Sequence, residues 1–373
     1  MRILYLIKGL GLGGAEKHVA QCALAWQRQG AEVRVAYVLP WKDAWARRLA
    51  SQGVAVVCLA PRGAWPLAML WHYWRLMKDF RPQLVHAHLP LTALLARIFK
   101  PLGRYRLVYT EHNELPRLHP LTRTIHRWSH RLDDAAISCS AAVARSLPWP
   151  STIIDNGIAL SPPPLDGLGL RRSLGFSARA VVVICVANMT PKKNHGLLLR
   201  AFNQAVLEMD EQVDLQLVLV GQDATEGSAV RALAGSLSSS ERIHFFGPHP
   251  AAESLLPDAD IFCLSSNQEG LPISLLEAMA AGLPSVVTCA GEMGRVVGED
   301  CGLVVPVGDE AALAIALTEL AGDECRRVTL GKRGREKVQE CYSESTMLES
   351  LAEVYRNALG RAAASTMYDD NLP

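Results

Sequence analysis

The 373-residue chain is predicted to be α/β, with two doubly wound, Rossmann-like parallel sheets in two domains. Three observations predict it. Short β-rich runs alternate with helix-length amphipathic segments along the whole chain. Runs such as "AVVVICVA" are apolar throughout, as parallel strands covered by helices on both faces must be. Finally, the length exceeds what one hydrophobic core fills, so two domains are expected.

The first strand is placed at Arg2–Ile7. Its unbroken apolar run, Ile3 to Ile7, is short, and glycines, Glu16 and Lys17 follow at once, so it reads as a buried strand and not as a secretory signal. Val33–Leu39, Val54–Leu59, Leu84–Ala87, Leu107–Thr110, Ala135–Ser138 and Ile153–Asp155 continue the first sheet as short β-rich runs. Between the third and fourth, "AWPLAMLWHYWRLMKDF" carries two helical stripes, Leu67/Leu70/Trp74/Met77 and Met69/Tyr73/Leu76/Phe80. A helix apolar on two faces is expected to be deeply packed, the alternative being partial contact with lipid. The segment "SPPPLDGLGL", residues 161 to 170, is a Pro- and Gly-rich linker. It sets the domains at 1–165 and 166–373, with the last helix a candidate to pack back on the first. The second sheet restarts at Val181–Ala187 and runs through Leu215–Gly221, Ile243–Phe246, Ile261–Ser265, Ser285–Thr288 and Leu303–Val305. Ligands bind beyond the carboxyl ends of such strands, so a site is expected in a cleft between facing domains.

Composition narrows the setting. A 49% apolar and 20% charged chain is an ordinary globular protein. Nine cysteines without a close pair read as thiols in a reducing cytosol, not as a disulfide framework. No stretch reaches the roughly 20 apolar residues that span a bilayer, so a cytoplasmic protein, soluble or peripheral on the inner face of the membrane, is expected. The net charge of +1 hides an asymmetry: residues 1–165 carry 21 Lys+Arg against 9 Asp+Glu, and residues 166–373 carry 17 against 28. A basic half suits anionic partners such as phosphates or a membrane surface; attraction to the acidic half is the alternative.

Three loops carry chemistry. In "KGLGLGGAEKHV", Gly9, Gly11 and Gly14 have the dinucleotide-fingerprint spacing, but the second strand ends in Leu39 and Pro40 where a ribose-binding acid belongs. That disfavours a nicotinamide cofactor. What remains is a glycine turn opening a helix, whose N–H groups suit a phosphate. In "VANMTPKKNHGLLLRAF", Lys192 and Lys193 precede a helix, where an ammonium neutralises a diphosphate. In "SSNQEGLPISLLEAMAAGLPSVV", Glu269 stands ahead of Gly270, and Glu277 lies eight positions on, inside an apolar helix that Gly282 and Pro284 end. At about 100° per residue the two would not share a helical face. With Glu269 in the preceding loop, each carboxylate reaches a different part of one ligand. The backbone from Gly270 through Leu271 and Pro272 to Ile273 then lies between them, aimed at an anion. Carboxylates suit hydroxyl-rich groups and a helix start suits a phosphate; a nucleotide-sugar has both.

"EGLPISLLEAMAAGLP", "GGAEKHV" and "VANMTPKKNH" resemble the signature segments of glycosyltransferase family 4, retaining enzymes of the GT-B fold, and "VHAHLP", "VYTEHN" and "IIDNGI" match that family's intermediate strands. The resemblance runs from Met1 to about Tyr355. It implies that Glu269 holds the donor sugar's hydroxyls, Glu277 the ribose and Lys193 the diphosphate. Gly13 and Gly14 would approach the diphosphate from the other domain, and His88 would sit by the reacting sugar. A histidine after a buried strand also serves as a core residue, and His112 is a further acceptor-side candidate. Two departures stand out. Asn188 replaces the family's usual Arg ahead of the lysine, and "CAGEMGRVV" replaces its glycine pair and glutamate, with no role assigned to Glu292 or Arg295.

The implied activity moves a sugar, with retention, from a nucleotide-diphospho-sugar to a saccharide or lipid-linked acceptor in bacterial polysaccharide or lipopolysaccharide assembly. The acceptor would attack on the face the diphosphate leaves. No Asp-x-Asp segment is read as present for a metal site, so no metal or further cofactor is expected, and no nucleic acid. Two other readings are a nucleotide-sugar epimerase of the same fold and a catalytically silent nucleotide-sugar-binding scaffold. The basic run Arg97, Lys100, Arg104 and Arg106, then Arg117, Arg123, Arg127 and Arg131, is expected to face an anionic membrane or a lipid-diphosphate acceptor.

Overall fold

The structure, a computed structural model, describes residues 1–61, 66–160, 169–210 and 213–360. Residues 161 to 168 of the expected linker and the side chain of Arg117 lie outside the described residues. The chain divides into two compact units, Met1–Asn156 with the segment from Ser345, and Gly157–Glu344. The division thus falls ahead of the 165/166 boundary.

The first unit runs β1 (Arg2–Ile7), α1 (Gly14–Arg28), β2 (Glu32–Tyr37), α2 (Ala44–Ser51), β3 (Ala55–Cys58), α3 (Pro66–Phe80), β4 (Leu84–His88), α4 (Pro90–Phe99), β5 (Arg106–Glu111), α5 (Pro120–Ser129), β6 (Ala135–Ser138), α6 (Ala141–Ser146) and β7 (Thr152–Ile153). The second runs α7 (Leu170–Ser173), β8 (Val181–Val186), α8 (His195–Glu208), β9 (Leu215–Val220), α9 (Gly227–Ser236), β10 (Ile243–Gly247), β11 (Ile261–Leu264), α10 (Ile273–Ala280), β12 (Ser285–Thr288), α11 (Met293–Val297), β13 (Gly302–Val305), α12 (Glu310–Gly322) and α13 (Glu324–Cys341). A final helix, α14 (Glu344–Leu359), brings the chain back to the first unit.

The two sheets repeat one topology. Their strand orders are β3-β2-β1-β4-β5-β6-β7 and β10-β9-β8-β11-β12-β13, all parallel. Each order reverses between its first strand and the fourth, β1 beside β4 and β8 beside β11. At that reversal the connections leave on opposite faces and the loops part, opening a crevice. Successive residues of β1 serve opposite faces. Ile3, Tyr5 and Ile7 pack with Val19 and Trp26 of α1 and Tyr355 of α14. Leu4 and Leu6 pack with Tyr73, Leu76 and Phe80 of α3 and Leu95 of α4. Full burial stabilises each such aliphatic side chain by about 1.5–3 kcal/mol, and the buried Tyr5 hydroxyl is bonded to Tyr355.

Two expectations are corrected here. The helix α3 is not packed on both stripes: Tyr73, Leu76 and Phe80 are buried, while Leu67, Trp71 and Trp74 are exposed. Nor is the first basic run a free surface throughout: Arg104 is exposed, but its neighbours in the run are paired. Arg97 is 1% exposed and grips Asp133 through two hydrogen bonds of 2.8 and 2.6 Å, with a further 2.7 Å contact to His126 Nδ1. Lys100 (2.6 Å) and Arg106 (3.0 Å) both pair with Asp134. A basic sequence looked like a surface because its acidic partners lie more than one element downstream. Removing one partner of a buried pair costs about 3–5 kcal/mol, so reversing Arg97 would unfold the unit before it tested a membrane.

All nine cysteines are free thiols. Among the described residues no helix is long and apolar enough to cross a membrane.

Candidate active site

In the second unit the loops after β8 and β11, neighbours at the reversal, are stapled together. Asn267 N–H donates to Lys192 O at 2.7 Å, and Ser265 Oγ donates to the carbonyls of Lys193 (3.1 Å) and Asn194 (2.9 Å). Asn194 adopts a left-handed backbone (φ 48°), which Asn tolerates, and its Oδ1 caps α8 by accepting from Leu197 N–H at 3.2 Å. The staple sets Lys193 Nζ on Glu269 Oε1, an oxygen that also accepts from Ser266 Oγ at 2.7 Å. Both charged groups are largely but not fully buried, at 22% and 11% side-chain exposure.

Glu269 stays outside the helix, as the sequence required. Gly270, Leu271 and Pro272 lead to α10, whose N-cap Pro272 supplies no side-chain hydrogen bond. The first turn of a helix leaves four N–H groups without intrahelical partners and carries the positive end of its dipole. Glu277 is half-buried one turn after Ile273. The departure "CAGEMGRVV" buttresses this loop. Glu292 N–H donates to Gly270 O at 3.0 Å, and Gly291, at φ 59°, lies so close that a Cβ there would collide with the carbonyl oxygens of Glu269 and Gly270. The Glu292 carboxylate is buried against Arg295 Nε at 2.5 Å. Asn188, at the end of β8, accepts the N–H of Gln222 at 2.9 Å and so ties the β8 and β9 loops.

The spacing Asp258-Ala259-Asp260 does occur in the chain, and sequence reading passed over it. It lies at the amino end of β11, away from the loops described above. Asp258 accepts from Leu170 N–H (2.6 Å), and Asp260 from Arg171 (2.5 Å) and Val182 N–H (2.7 Å). Both carboxylates are structural anchors. Among the described residues no group of three or more His, Cys, Asp or Glu side chains is arranged to hold a metal ion.

In the first unit the glycine loop ends at Gly13, the N-cap of α1, with Gly14 the first helical residue; neither makes a side-chain cap. A Cβ on Gly14 would meet nothing within 4 Å, whereas one on Gly13 would collide with the Glu16 carboxylate, which lies over the helix start. Four histidines gather beside it, of which the sequence singled out two. His88 Nδ1 lies 2.9 Å from His112 Nε2, and the rings of His18 (5.6 Å) and His86 (4.2 Å) pack on His88. His86 is a satisfied core residue, bonded to Tyr355 Oη (2.6 Å) and Thr110 Oγ1 (2.7 Å). His88 is different: its Nε2 is buried and has no partner. Burial, followed by the neighbouring imidazoles, pushes His88 and His86 well below the ordinary histidine value. Burial lowers His18 to about 4, and burial with His18 lowers His112 to about 3. The cluster is neutral at pH 7.

The structure therefore brings Lys193 and Glu269 into contact, sets Gly270, Leu271, Pro272, Ile273 and Glu277 along the same loop and helix, and pairs His88 with His112. Gly13 and Gly14 open α1 in the first unit. Sequence reading missed Ser266, Gly291, His18 and His86. Only Ser266, three residues before Glu269, left a local signal; the others are assembled by tertiary contacts.

The family described as Glycosyltransferase Family 4 matches residues 12–161, and the one described as Glycosyl transferases group 1 matches residues 180–323. The N-acetyl-alpha-D-glucosaminyl L-malate synthase of Bacillus anthracis is 30% identical over 52% of this chain and 50% of its own, so the chain spans about half the length of that relative. The putative glycosyltransferase EpsD of Bacillus subtilis is 26% identical over 75% of this chain and 78% of its own. Among solved structures, Anabaena HepE, crystallised with UDP and glucose, superposes with a TM-score of 0.84 at 20% identity, covering 95% of this chain and 99% of its own.

Proposed function

Because the chain belongs to the glycosyltransferases of family 4 and group 1, we propose that it moves a sugar from a nucleotide-diphospho-sugar to a saccharide or lipid-linked acceptor, with retention, in bacterial surface polysaccharide assembly. One observation carries this reading: an ammonium, Lys193, and a carboxylate, Glu269, held side by side ahead of an uncapped helix start. The helix start and Lys193 receive the diphosphate, where the most charge develops as the bond to the anomeric carbon breaks. Glu269 and Glu277 accept hydrogen bonds from the sugar and the ribose. Gly13 and Gly14 are the first unit's phosphate-binding element. His88, with its free Nε2, and His112 behind it, are assigned to the reacting sugar and the acceptor. The HepE complex with UDP and glucose supports a nucleotide-linked donor by likeness of fold.

As the family resemblance implies, the acceptor oxygen bonds to the anomeric carbon on the face the diphosphate leaves, and its proton passes to the departing phosphate oxygen. The reading asks for no metal. Its setting is the cytoplasm, at the inner face of the membrane.

The test is a thermal-shift screen of nucleotide-sugars, followed by diphosphate release with and without saccharide acceptors, and by NMR of the product's anomeric configuration. Acceptor-dependent release with the donor's configuration kept is the expected result. An inverted product defeats the retaining mechanism, altered sugar without acceptor indicates an epimerase, and donor binding without turnover a silent scaffold.

A further inference from the structure

Three helices, α3, α4 and α5, cover one face of the first sheet. Tyr73 of α3 packs edge-on against Phe99 of α4 at 5.1 Å, and His126 of α5 packs on Tyr109 of β5 at 4.8 Å. Their outer side gathers exposed apolar side chains into stripes. On α3, Leu67, Trp71 and Trp74 are exposed, the tryptophans by 49% and 41%. On α5, Leu121, Ile125 and Trp128 are exposed, Trp128 by 72%. Both stripes have the same spacing, i, i+4 and i+7, which places all three side chains along one face of a helix. Each tryptophan also carries its own cation: Arg75 lies 5.5 Å from the Trp71 ring, Lys78 4.4 Å from Trp74 and Arg131 5.9 Å from Trp128.

We infer that the outer face of α3 and α5 is a membrane-docking surface that seats its tryptophans and aliphatic side chains in the interface of an anionic bilayer. Soluble surfaces rarely gather apolar side chains into such stripes without a partner. A tryptophan beside a lysine or arginine suits the boundary layer of a bilayer, where the ring enters the apolar edge while the cation reaches lipid phosphate. Charge selects lipid over a second copy of this chain. Residues 66–134 hold 11 Lys+Arg and 5 Asp+Glu, including the two aspartates that neutralise Arg97, Lys100 and Arg106. A second copy docking through this same face would present the same positive excess and be repelled, whereas anionic lipid complements it. The anchor is therefore aromatic as well as electrostatic, and it lies outside the Arg97 to Arg106 run.

The inference extends the lipid-side setting proposed for the reaction. Its test uses neither donor nor acceptor, so its failure and that of the transfer reading are read separately. The whole chain is sedimented with vesicles of phosphatidylcholine alone or mixed with phosphatidylglycerol, over a range of salt. Wild type is expected to bind the mixed vesicles, to weaken but not vanish as salt rises, and to show tryptophan fluorescence quenched by brominated lipid. Trp71→Ala/Trp74→Ala/Trp128→Ala together should weaken binding at least about tenfold, and the three Trp→Phe changes should recover part of it. Far-ultraviolet dichroism should stay unchanged, because these rings are exposed. Undiminished binding by the triple alanine variant would overturn the proposal, as would no binding to mixed vesicles at low salt. A stable dimer that Trp128→Ala dissociates would also overturn it, making this face a contact between copies.

Discussion

The two units place different chemistry at the same point of the same topology. Beside β8 and β11 the reversal holds an ion pair, Lys193 with Glu269, set before a helix start. Beside β1 and β4 it holds four packed imidazoles, kept neutral by burial and by one another. Fold therefore fixes where a ligand is met, and the side chains of the loops fix what is met there. Under the proposed reaction the charged crevice suits a diphosphate. The neutral one suits hydroxyls, since uncharged imidazoles both accept and donate hydrogen bonds without holding an anion.

The contrast can be broken most directly at Lys193. Lys193→Ala is expected to lower kcat by about 100- to 1000-fold, measured as diphosphate release with acceptor present. The variant should stay folded, since Glu269 keeps its bond from Ser266. Wild-type turnover would remove the charged role from this crevice. The two glutamates should then separate. Glu277→Ala is expected to raise the donor's KM and Glu269→Ala to lower kcat, each by roughly ten- to a hundredfold, the worth of about 1.5–3 kcal/mol for a bond to a charged group.

The first unit is tested through acid. Its histidines bind protons less readily folded than unfolded, at about 4 for His18 and about 3 for His112 against 6.5 for the free side chain. Well above pH 6.5 neither state is protonated and stability is level. Below it the unfolded chain takes up protons that the folded chain refuses, so stability falls, by up to about 1.4 kcal/mol per histidine per pH unit. Urea midpoints should drop between about pH 7 and pH 5, and His18→Gln should flatten the drop. A level profile would mean that the cluster is not neutral, and the contrast would fail. The smallest effect belongs to Asn188→Arg. It gives up the bond to Gln222 and adds a cation, and it should tighten nucleoside diphosphate binding by less than about tenfold in calorimetry.

What the sequence made legible follows from burial. All thirteen expected strands form, since most parallel strands covered on both faces read as short, nearly continuous apolar runs, and even β4, with His86 and His88 buried in it, keeps its apolar neighbours. The glycine and proline signals around Gly270 and Gly282 placed α10 and kept Glu269 outside it. Arg97 was misread because nothing near it in sequence announces Asp133, and burial of a charge is decided by its partner. His18 and His86 were passed over because their neighbours come from four different elements. The "CAGEMGRVV" departure could not be assigned from sequence, since its effect is a backbone approach to Glu269 that only coordinates reveal.

Tyr355 meets Tyr5 Oη at 2.9 Å and His86 Nδ1 at 2.6 Å, and it lies in α14, made after every residue of the second unit. On the ribosome the first sheet emerges early and must wait for Tyr355, with His86 Nδ1 and Tyr5 Oη lacking that partner and one face covered only in part, while the contiguous stretch from Gly157 to Glu344 is made and can fold first. The first unit begun is thus the last one completed. A premature stop or a protease cut ahead of Ser345 would spare the ion pair at Glu269, yet leave the imidazole cluster without the helix that closes over it.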